Sequence, residues 1–169
     1  MRRRRDRGEP EGTRFTLREK LFAIGDDYWI ETDGGERVFK VNGKAMRIRD
    51  TLVFENRSGE ELLKIQEKKL SVRDKVAIER GGDTVATVHK ALVGIRDRFH
   101  IEIEGGEELR AHGNIVDHEY ESRRGRHAVA HVSKKWFRIR DTYGIEVEDG
   151  EDEPLMLALT VALDEMSRG

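Results

Sequence analysis

A nearly uninterrupted apolar run close to the end of this 169-residue chain constrains the fold more than any other stretch. Eight of the nine residues from 155 to 163 are apolar, and none of them is charged. A helix formed by residues 154–166 would be apolar on every face, which is typical of a helix buried in a protein or a membrane. Because it would be only about 20 Å long, against a hydrocarbon core of about 30 Å, we expect burial within the protein.

Most of the remaining chain predicts short antiparallel strands joined by tight turns. Residues 98–103 show the clearest alternation, with Phe99, Ile101 and Ile103 on one face and polar residues on the other. Asn42-Gly43 is the strongest hairpin signal, because both residues tolerate positive φ. Similar turn signals recur roughly every ten residues and predict about twelve strands, including one over residues 115–120 and one over residues 136–139.

So many strands with one apolar face favour closure, because closure removes exposed sheet edges. A barrel of about twelve strands is too wide for its own side chains to fill, and the apolar helix supplies the missing interior. Pro154 suits the first turn of that helix, and the acidic residues before it suit a helix N-terminus. We therefore predict a mainly β protein, in which a closed, roughly twelve-stranded antiparallel barrel encloses a hydrophobic C-terminal α-helix.

The domain organisation follows from a change in composition near residue 12. Residues 1–12 are rich in arginine and glycine and poor in residues that could be buried, which predicts a flexible basic arm. Residues 13–169 then form a single barrel domain, with its central helix at about residues 154–167. No apolar segment follows the basic start, so we expect no secretory signal and a cytoplasmic location.

The overall charge gives no general case for binding nucleic acid or membranes. The chain carries 32 basic and 34 acidic residues, for a net charge of −2, so a charged partner must be met by a local patch. Basic residues recur in pairs at expected strand ends, where both side chains can reach solvent. The simplest interpretation of these basic pairs is that they belong to an ordinary charged surface. The candidate contacts for an anionic ligand are Arg2, Arg3, Arg4, Arg5, Arg7, Lys68, Lys69, Arg123, Arg124, Arg126, Lys134 and Lys135.

No pattern in the sequence indicates catalysis, a metal or a cofactor. The absence of cysteine excludes thiol chemistry and thiolate metal sites. His127 and His131 would lie about 13 Å apart on a strand, too far for one ion, and we expect the six histidines at the surface. Asp117, His118 and Glu119 would alternate between faces of a strand and would not converge. We therefore expect no catalytic residues, no cofactor and no enzymatic activity.

Strand-and-turn patterns recur in the segment GERVFKVNGKAMRIRDTLVFENRSGEELLKIQEKKLS, residues 35–71. With this segment the chain resembles the LURP-one-related family, whose fold is similar to the tubby C-terminal domain, and the resemblance covers nearly all of residues 13–167. LFAIGDDYWI and the closing EPLMLALTVALDEM are also typical. Within the first segment, the residues on the family's spacing are Phe39, Val41, Gly43, Lys44, Gly59, Leu63, Ile65, Lys68 and Ser71.

This resemblance implies a twelve-stranded barrel threaded by a hydrophobic C-terminal helix. Tubby domains bind phosphoinositides and the related scramblases act at membranes, but no lipid-site motif matches here residue by residue. The chain also lacks the cysteine-rich acylated segment of the scramblases, which argues against a membrane-anchored scramblase.

A non-enzymatic binding module for anionic phospholipid head groups or a protein partner is the favoured interpretation. The alternatives are an enzyme acting on a small anionic ligand at the barrel mouth, and nucleic-acid binding through the basic arm. No transmembrane segment is expected, and the oligomeric state is left open.

Overall fold

The computed structural model describes residues 12–18, 27–43, 51–68, 75–93, 96–136 and 142–167. These residues form twelve strands followed by one helix. In chain order the elements are β1 (Gly12–Arg18), β2 (Tyr28–Thr32), β3 (Arg37–Asn42), β4 (Thr51–Asn56), β5 (Glu61–Lys68), β6 (Lys75–Arg80), β7 (Asp83–Val93), β8 (Arg96–Ile103), β9 (Glu107–Asn114), β10 (Glu119–Arg124), β11 (His127–Ser133), β12 (Thr142–Glu148) and α1 (Glu153–Ser167).

The strands form one closed barrel in which each strand pairs with the next along the chain. The first and last strands complete the circle, because β1 pairs antiparallel with β12 from Gly12 opposite Glu148 to Arg18 opposite Thr142. Such a meander needs only short connections between neighbours. The predicted closed antiparallel barrel of twelve strands is confirmed.

Helix α1 fills the interior of the barrel. Leu157, Ala158, Val161, Ala162 and Leu163 have no exposed surface, and they belong to one continuous core with inward-facing strand residues. Burying a leucine side chain stabilises a fold by about 1.5–3 kcal/mol. The helix is therefore a structural core element, as its uniformly apolar sequence predicted.

Hydrogen bonds at both ends of α1 satisfy backbone groups that the helix itself leaves unpaired. At the start, the amide of Leu155 donates to Oδ1 of Asp152 at 3.2 Å, which satisfies one of the amides that a helix N-terminus leaves unpaired. At the other end, Nζ of Lys90 donates to the carbonyl of Met166 at 3.0 Å. We call the two ends of the barrel the entry end, where α1 begins, and the exit end, where it finishes.

The chain turns back at the entry end between each even-numbered strand and its successor, through turns that need glycine at several positions. In the turn from β8 to β9, Gly105 and Gly106 have φ of 96° and 89°, which residues with a side chain rarely adopt. The turns at this end occupy residues 33–36, 57–60, 81–82, 104–106 and 125–126, and residues 149–152 lead into α1.

The structure contradicts the strand predicted over residues 115–120. Strand β9 continues to Asn114, and residues 115–118 form a turn at the exit end. Oδ1 of Asn114 accepts a hydrogen bond from the amide of Asp117 at 3.1 Å, and such asparagine turns compete with strand pairing. Gly113 lies in β9, where a Cβ would come within 2.7 Å of the Glu119 carbonyl oxygen. Trp136 lies in a turn, and residues 137–139 are outside the described part.

Candidate functional site

The basic residues proposed from the sequence are divided between the two ends of the barrel. Arg123 and Arg124 end β10, and Arg126 lies in the following turn at the entry end. Lys134 and Lys135 follow β11 at the exit end. Because a strand of this length spans about 20 Å, these two groups do not form one patch. The remaining candidates lie outside the described residues or, for Lys68, have an undescribed side chain: Arg2, Arg3, Arg4, Arg5, Arg7, Lys68 and Lys69.

Carboxylates hold two of the three arginines at the entry end. Nη1 and Nη2 of Arg124 donate to the carboxylate of Glu151 at 2.7 and 3.1 Å, and Nε forms an ion pair with Glu107. Hydrogen bonding to Glu151 raises the pKa of the Arg124 guanidinium above its ordinary value. Nε of Arg123 donates to Glu121 at 2.8 Å. Neither arginine therefore presents an unpaired positive charge to an external anion.

A cavity of about 260 Å³ opens at the entry end, beside the start of α1. Apolar side chains supply part of its lining, and the rest consists of two arginines and four carboxylates. Nη2 of Arg80 lies 2.8 Å from Oδ2 of Asp152, so this cation also has an acidic partner. The lining residues are Arg80, Val85, Ile103, Glu104, Glu107, Arg124, Glu151, Asp152, Leu155 and Met156.

Negative charge is concentrated next to this cavity, where β12 leads into the helix. Five of the six residues from 148 to 153 are acidic, and we call this segment the acidic turn. Asp149 is exposed and Glu153 is half-buried, and neither forms an ion pair with a residue that the structure describes. The entry end therefore has a negative charge that its own arginines do not neutralise.

The exit end carries a different surface around the end of β11. Lys135 is exposed, Lys134 is half-buried, and Val116 is 63% exposed in the adjacent turn. Glu119 joins the two segments, because its carboxylate accepts hydrogen bonds from Oγ of Ser133 at 2.9 Å and from the amide of Lys134 at 3.0 Å. We call Val116, Lys134 and Lys135 the exit-end patch.

Both tryptophans lie on the outer wall of the barrel, half-buried beneath cations. The guanidinium of Arg14 is 4.6 Å from the ring centre of Trp136, and Arg37 and Lys40 lie 5.5 and 5.8 Å from that of Trp29. Cation–π contacts of this kind contribute about 0.5–1 kcal/mol at exposed sites. The two rings therefore pack against the barrel wall instead of forming part of its core.

Five of the six histidines, all except His118, lie on the barrel surface or outer wall. His127 bonds Glu148, with Nε2 and Oε2 2.5 Å apart, and His89 and His100 lie near Glu102 on the outer face. Within the described ranges, no group of three or more histidine, aspartate or glutamate side chains is placed to hold a metal ion.

The expectation of a surface position is wrong for His118. This residue is only 5% exposed, lies at φ of 53° in the turn of residues 115–118, and stacks on Tyr143 with ring centres 4.1 Å apart. Its Nε2 lies 2.6 Å from Oδ1 of the buried Asp164 on α1. The pair joins the exit-end turn to the central helix. No sequence pattern indicated it, because the two residues are 46 positions apart.

Tyr120 belongs to the same buried region. Burial raises the pKa of its phenol far above the ordinary 10.0, the negative charge of Asp164 raises it further, and a hydrogen bond to Thr160 opposes the shift. An unfolded chain would release this proton near pH 10, whereas the folded chain keeps it. The contribution of the Tyr120 phenol to the free energy of unfolding is therefore fully present below about pH 10, and it declines as the pH rises above this value.

We expect the substitution Tyr120→Phe to reduce the loss of stability in alkaline solution. In the parent chain, this one phenol contributes a slope of about 1.4 kcal/mol per pH unit above pH 10. The check is the free energy of unfolding from urea titrations at about pH 8, 10 and 11. Equal slopes in the parent and the variant would contradict the prediction.

Comparisons with other proteins identify the wider group. The family model described as LURP-one-related matches residues 13–164. The X-ray structure of a protein from Arabidopsis thaliana superposes with a TM-score of 0.71 and 18% sequence identity, covering 94% of this chain and 93% of that one. At this identity the similarity shows the fold alone. Among curated proteins, none matches the chain significantly.

Proposed function

The chain belongs to the LURP-one-related family, and from this premise we propose that it is a non-enzymatic module that binds anionic phospholipid surfaces through its exit end. Helix α1 fills the barrel with buried side chains, so recognition takes place on the outside or at a mouth. The observation that carries the proposal is the exit-end patch, which places the exposed Lys135, the half-buried Lys134 and the exposed Val116 at one end of the barrel.

The chemistry of this patch suits a lipid interface. Near an anionic membrane, each basic residue contributes roughly 1 kcal/mol, within a screening distance of about 8 Å at physiological salt. Val116 adds an apolar side chain that can enter the boundary between head groups and acyl chains. Asp117 in the same turn is exposed, and Asn114 Nδ2 donates a hydrogen bond to its carboxylate at 2.6 Å, so its negative charge offsets part of this attraction. Together, these contributions predict weak, reversible attachment of the protein to an anionic membrane.

The charge at the opposite end orients the barrel on such a surface. The acidic turn and the carboxylates of the cavity would be repelled by anionic head groups, so the entry end faces away from the membrane. Within the described part of the chain, no helix has the length and apolar character needed to cross a bilayer. The proposed contact is therefore a peripheral one made by a few side chains.

The entry-end cavity gives less support to the alternative of an enzyme for a small anionic ligand. Four carboxylates line it, and both of its arginines already pair with carboxylates of the protein. An anion entering there would have to displace one of these pairs. We therefore expect no turnover of generic ester, phosphate or nucleotide substrates, and turnover abolished by one carboxylate substitution would contradict this.

We expect the substitution Lys135→Glu to weaken vesicle binding at least fivefold. The change removes one favourable contact of roughly 1 kcal/mol and adds repulsion. The measurement is co-sedimentation with vesicles of phosphatidylcholine containing about 30% phosphatidylserine, over a series of salt concentrations.

Arg126→Glu is the matched control for this substitution. Arg126 is also exposed and undergoes the same charge reversal, but it lies at the entry end. Its binding should stay within about twofold of the parent. Equal losses of vesicle binding in both variants would show that binding depends on the overall charge of the protein. No loss in either variant would show that the exit-end patch does not bind the vesicles.

A further inference from the structure

Strand pairing brings five basic side chains into one line across the outer wall of the barrel. Residues that lie directly opposite each other in neighbouring strands point to the same face of a sheet. From β6 to β10, the successive partners in register are Lys75, His89, His100, Arg110 and Arg123. Val76, Val88 and Leu109, which alternate with members of this line, are buried in the core, so the line faces outward. We call these five residues the basic row.

The outward-facing positions on both sides of the basic row belong to the same surface. Two residues along the strands toward the exit end lie Arg98, His112 and Glu121, and two residues toward the entry end lie Glu102 and Glu108. Three cations of this surface form no ion pair with a residue that the structure describes: Lys75, Arg98 and Arg110. The two arginines are exposed and the lysine is half-buried, so their charges are available to an external anion.

Each carboxylate of this surface lies beside a member of the basic row. The distances from oxygen to nitrogen are 3.3 Å for Glu102 and His89, 3.5 Å for Glu108 and His100, and 2.8 Å for Glu121 and Arg123. The four lysine and arginine side chains exceed the three carboxylates by one positive charge while the histidines are neutral. Protonation of His89, His100 and His112 adds three more charges. The surface therefore becomes strongly cationic in mildly acidic solution, since imidazole side chains ordinarily change their charge between about pH 5 and pH 8.

The shape and composition of this surface favour a flexible polyanion as its ligand. The row crosses five of the twelve strands, so it follows the curved wall through about a third of a circle over roughly 19 Å. A flat membrane, or a duplex that is stiff over about 50 nm, meets only part of such a curve. A protein partner would need apolar contacts, and Val116, outside this surface, is the one exposed large apolar side chain in the described ranges. A single strand of nucleic acid can bend along the row.

We propose that the basic row binds the phosphate backbone of single-stranded nucleic acid. Contacts from Lys75, Arg98 and Arg110 supply the attraction at neutral pH, and protonated histidines strengthen it on acidification. The aromatic residues of β6–β10, Phe99 and Tyr120, are both buried, so they offer no ring for base stacking and binding is independent of base sequence. This function is separate from lipid binding by the exit-end patch, because it uses other side chains.

The salt and pH dependence of oligonucleotide binding tests the proposal in the intact chain. The probe is an oligothymidylate of about 12 nucleotides with a pH-insensitive rhodamine label, followed by fluorescence anisotropy. Three phosphate contacts predict a slope of about −2 for the logarithm of the binding constant against the logarithm of the salt concentration at about pH 7.5. Three additional contacts predict a slope of about −4 at about pH 5.5. An oligoadenylate of the same length should bind within about twofold.

Charge reversal on this surface separates it from the rest of the protein. The double substitution Arg98→Glu and Arg110→Glu should weaken oligonucleotide binding at least tenfold, whereas lysine at both positions should preserve most of it. Arg57→Glu, at an exposed arginine in the turn between β4 and β5, is the matched control and should stay within about twofold of the parent. All of these variants should keep the melting temperature and the vesicle binding of the parent.

A second pair of substitutions tests the contribution of the histidines. Replacing His100 and His112 with glutamine should leave the affinity at about pH 7.5 unchanged and reduce the gain on acidification at least threefold. An equal gain in the parent and in this variant would contradict that contribution.

Two results would overturn the proposal as a whole. Equal binding by the parent and by the double glutamate variant would place the oligonucleotide elsewhere, and removal of residues 2–7 would then show whether the N-terminal arginines bind it. A parent chain that binds no oligonucleotide at low salt would also overturn it, and loss of vesicle binding in the double glutamate variant would then assign the surface to lipid.

Discussion

The substitution Leu159→Asp should abolish cooperative folding. Leu159 is 2% exposed on α1, so the new carboxylate would lie inside the barrel at a position that normally holds an apolar side chain. An unpaired charge at such a position costs several kcal/mol. A domain of this size is stable by only about 5–15 kcal/mol. The measurement is thermal and urea unfolding followed by circular dichroism.

Two further substitutions at the same position provide a graded control. Leu159→Met nearly conserves volume and should cost less than about 1.5 kcal/mol, while Leu159→Ala should cost about 2–5 kcal/mol through the cavity that it leaves. The three variants should therefore rank in the order methionine, alanine, aspartate. A cooperative transition of the aspartate variant near the parent temperature would show that α1 is not the core of the fold.

The substitution Asp164→Ala should lower the free energy of unfolding by about 1.5–3 kcal/mol, the usual contribution of a hydrogen bond to a charged group. It removes one member of the buried pair with His118 and leaves the imidazole without that carboxylate. Asp164 also lies in the last turns of α1, where a negative charge opposes the helix dipole, so the pair must offset this cost. Asp164→Asn keeps the shape and a hydrogen-bonding oxygen, and it should cost less than the alanine substitution.

A double-mutant cycle with His118→Ala measures the coupling within this pair. Residues in direct contact typically show interaction energies of 0.5–3 kcal/mol. Asp149→Ala, at an exposed aspartate, is the control and should change stability by less than about 0.5 kcal/mol. Additive effects of the His118 and Asp164 substitutions would mean that the pair does not hold the exit-end turn to the helix.

This buried pair also connects stability with the proposed lipid contact. His118 closes the turn that presents Val116, and its bond to Asp164 fixes that turn to α1. A variant that loosens the pair should therefore weaken vesicle binding as well as stability, if the exit-end patch binds as proposed. The patch depends on a core residue that no surface analysis would select.

The barrel and its central helix were predictable from local patterns. Alternation in segments such as residues 98–103 determines which side chains face inward, and tight turns make neighbouring strands antiparallel. The run of residues 155–163 has no polar face and must be enclosed. Strand alternation and the apolar helix depend on residues close together in sequence, so periodicity predicts them, apart from the strand assigned to residues 115–120.

The surface and the buried polar cluster depend on residues that only the fold brings together. The sequence indicated Arg124 as a basic residue, but closure of the barrel places it against Glu107 and Glu151 and removes its free charge. His118 appeared to be one histidine among six, until the barrel placed it on Asp164 of α1. Pairing across 46 residues leaves no periodic signal in the chain. Sequence by itself therefore determined the architecture, and tertiary structure decided which charges are free, which are paired and which end of the barrel carries them.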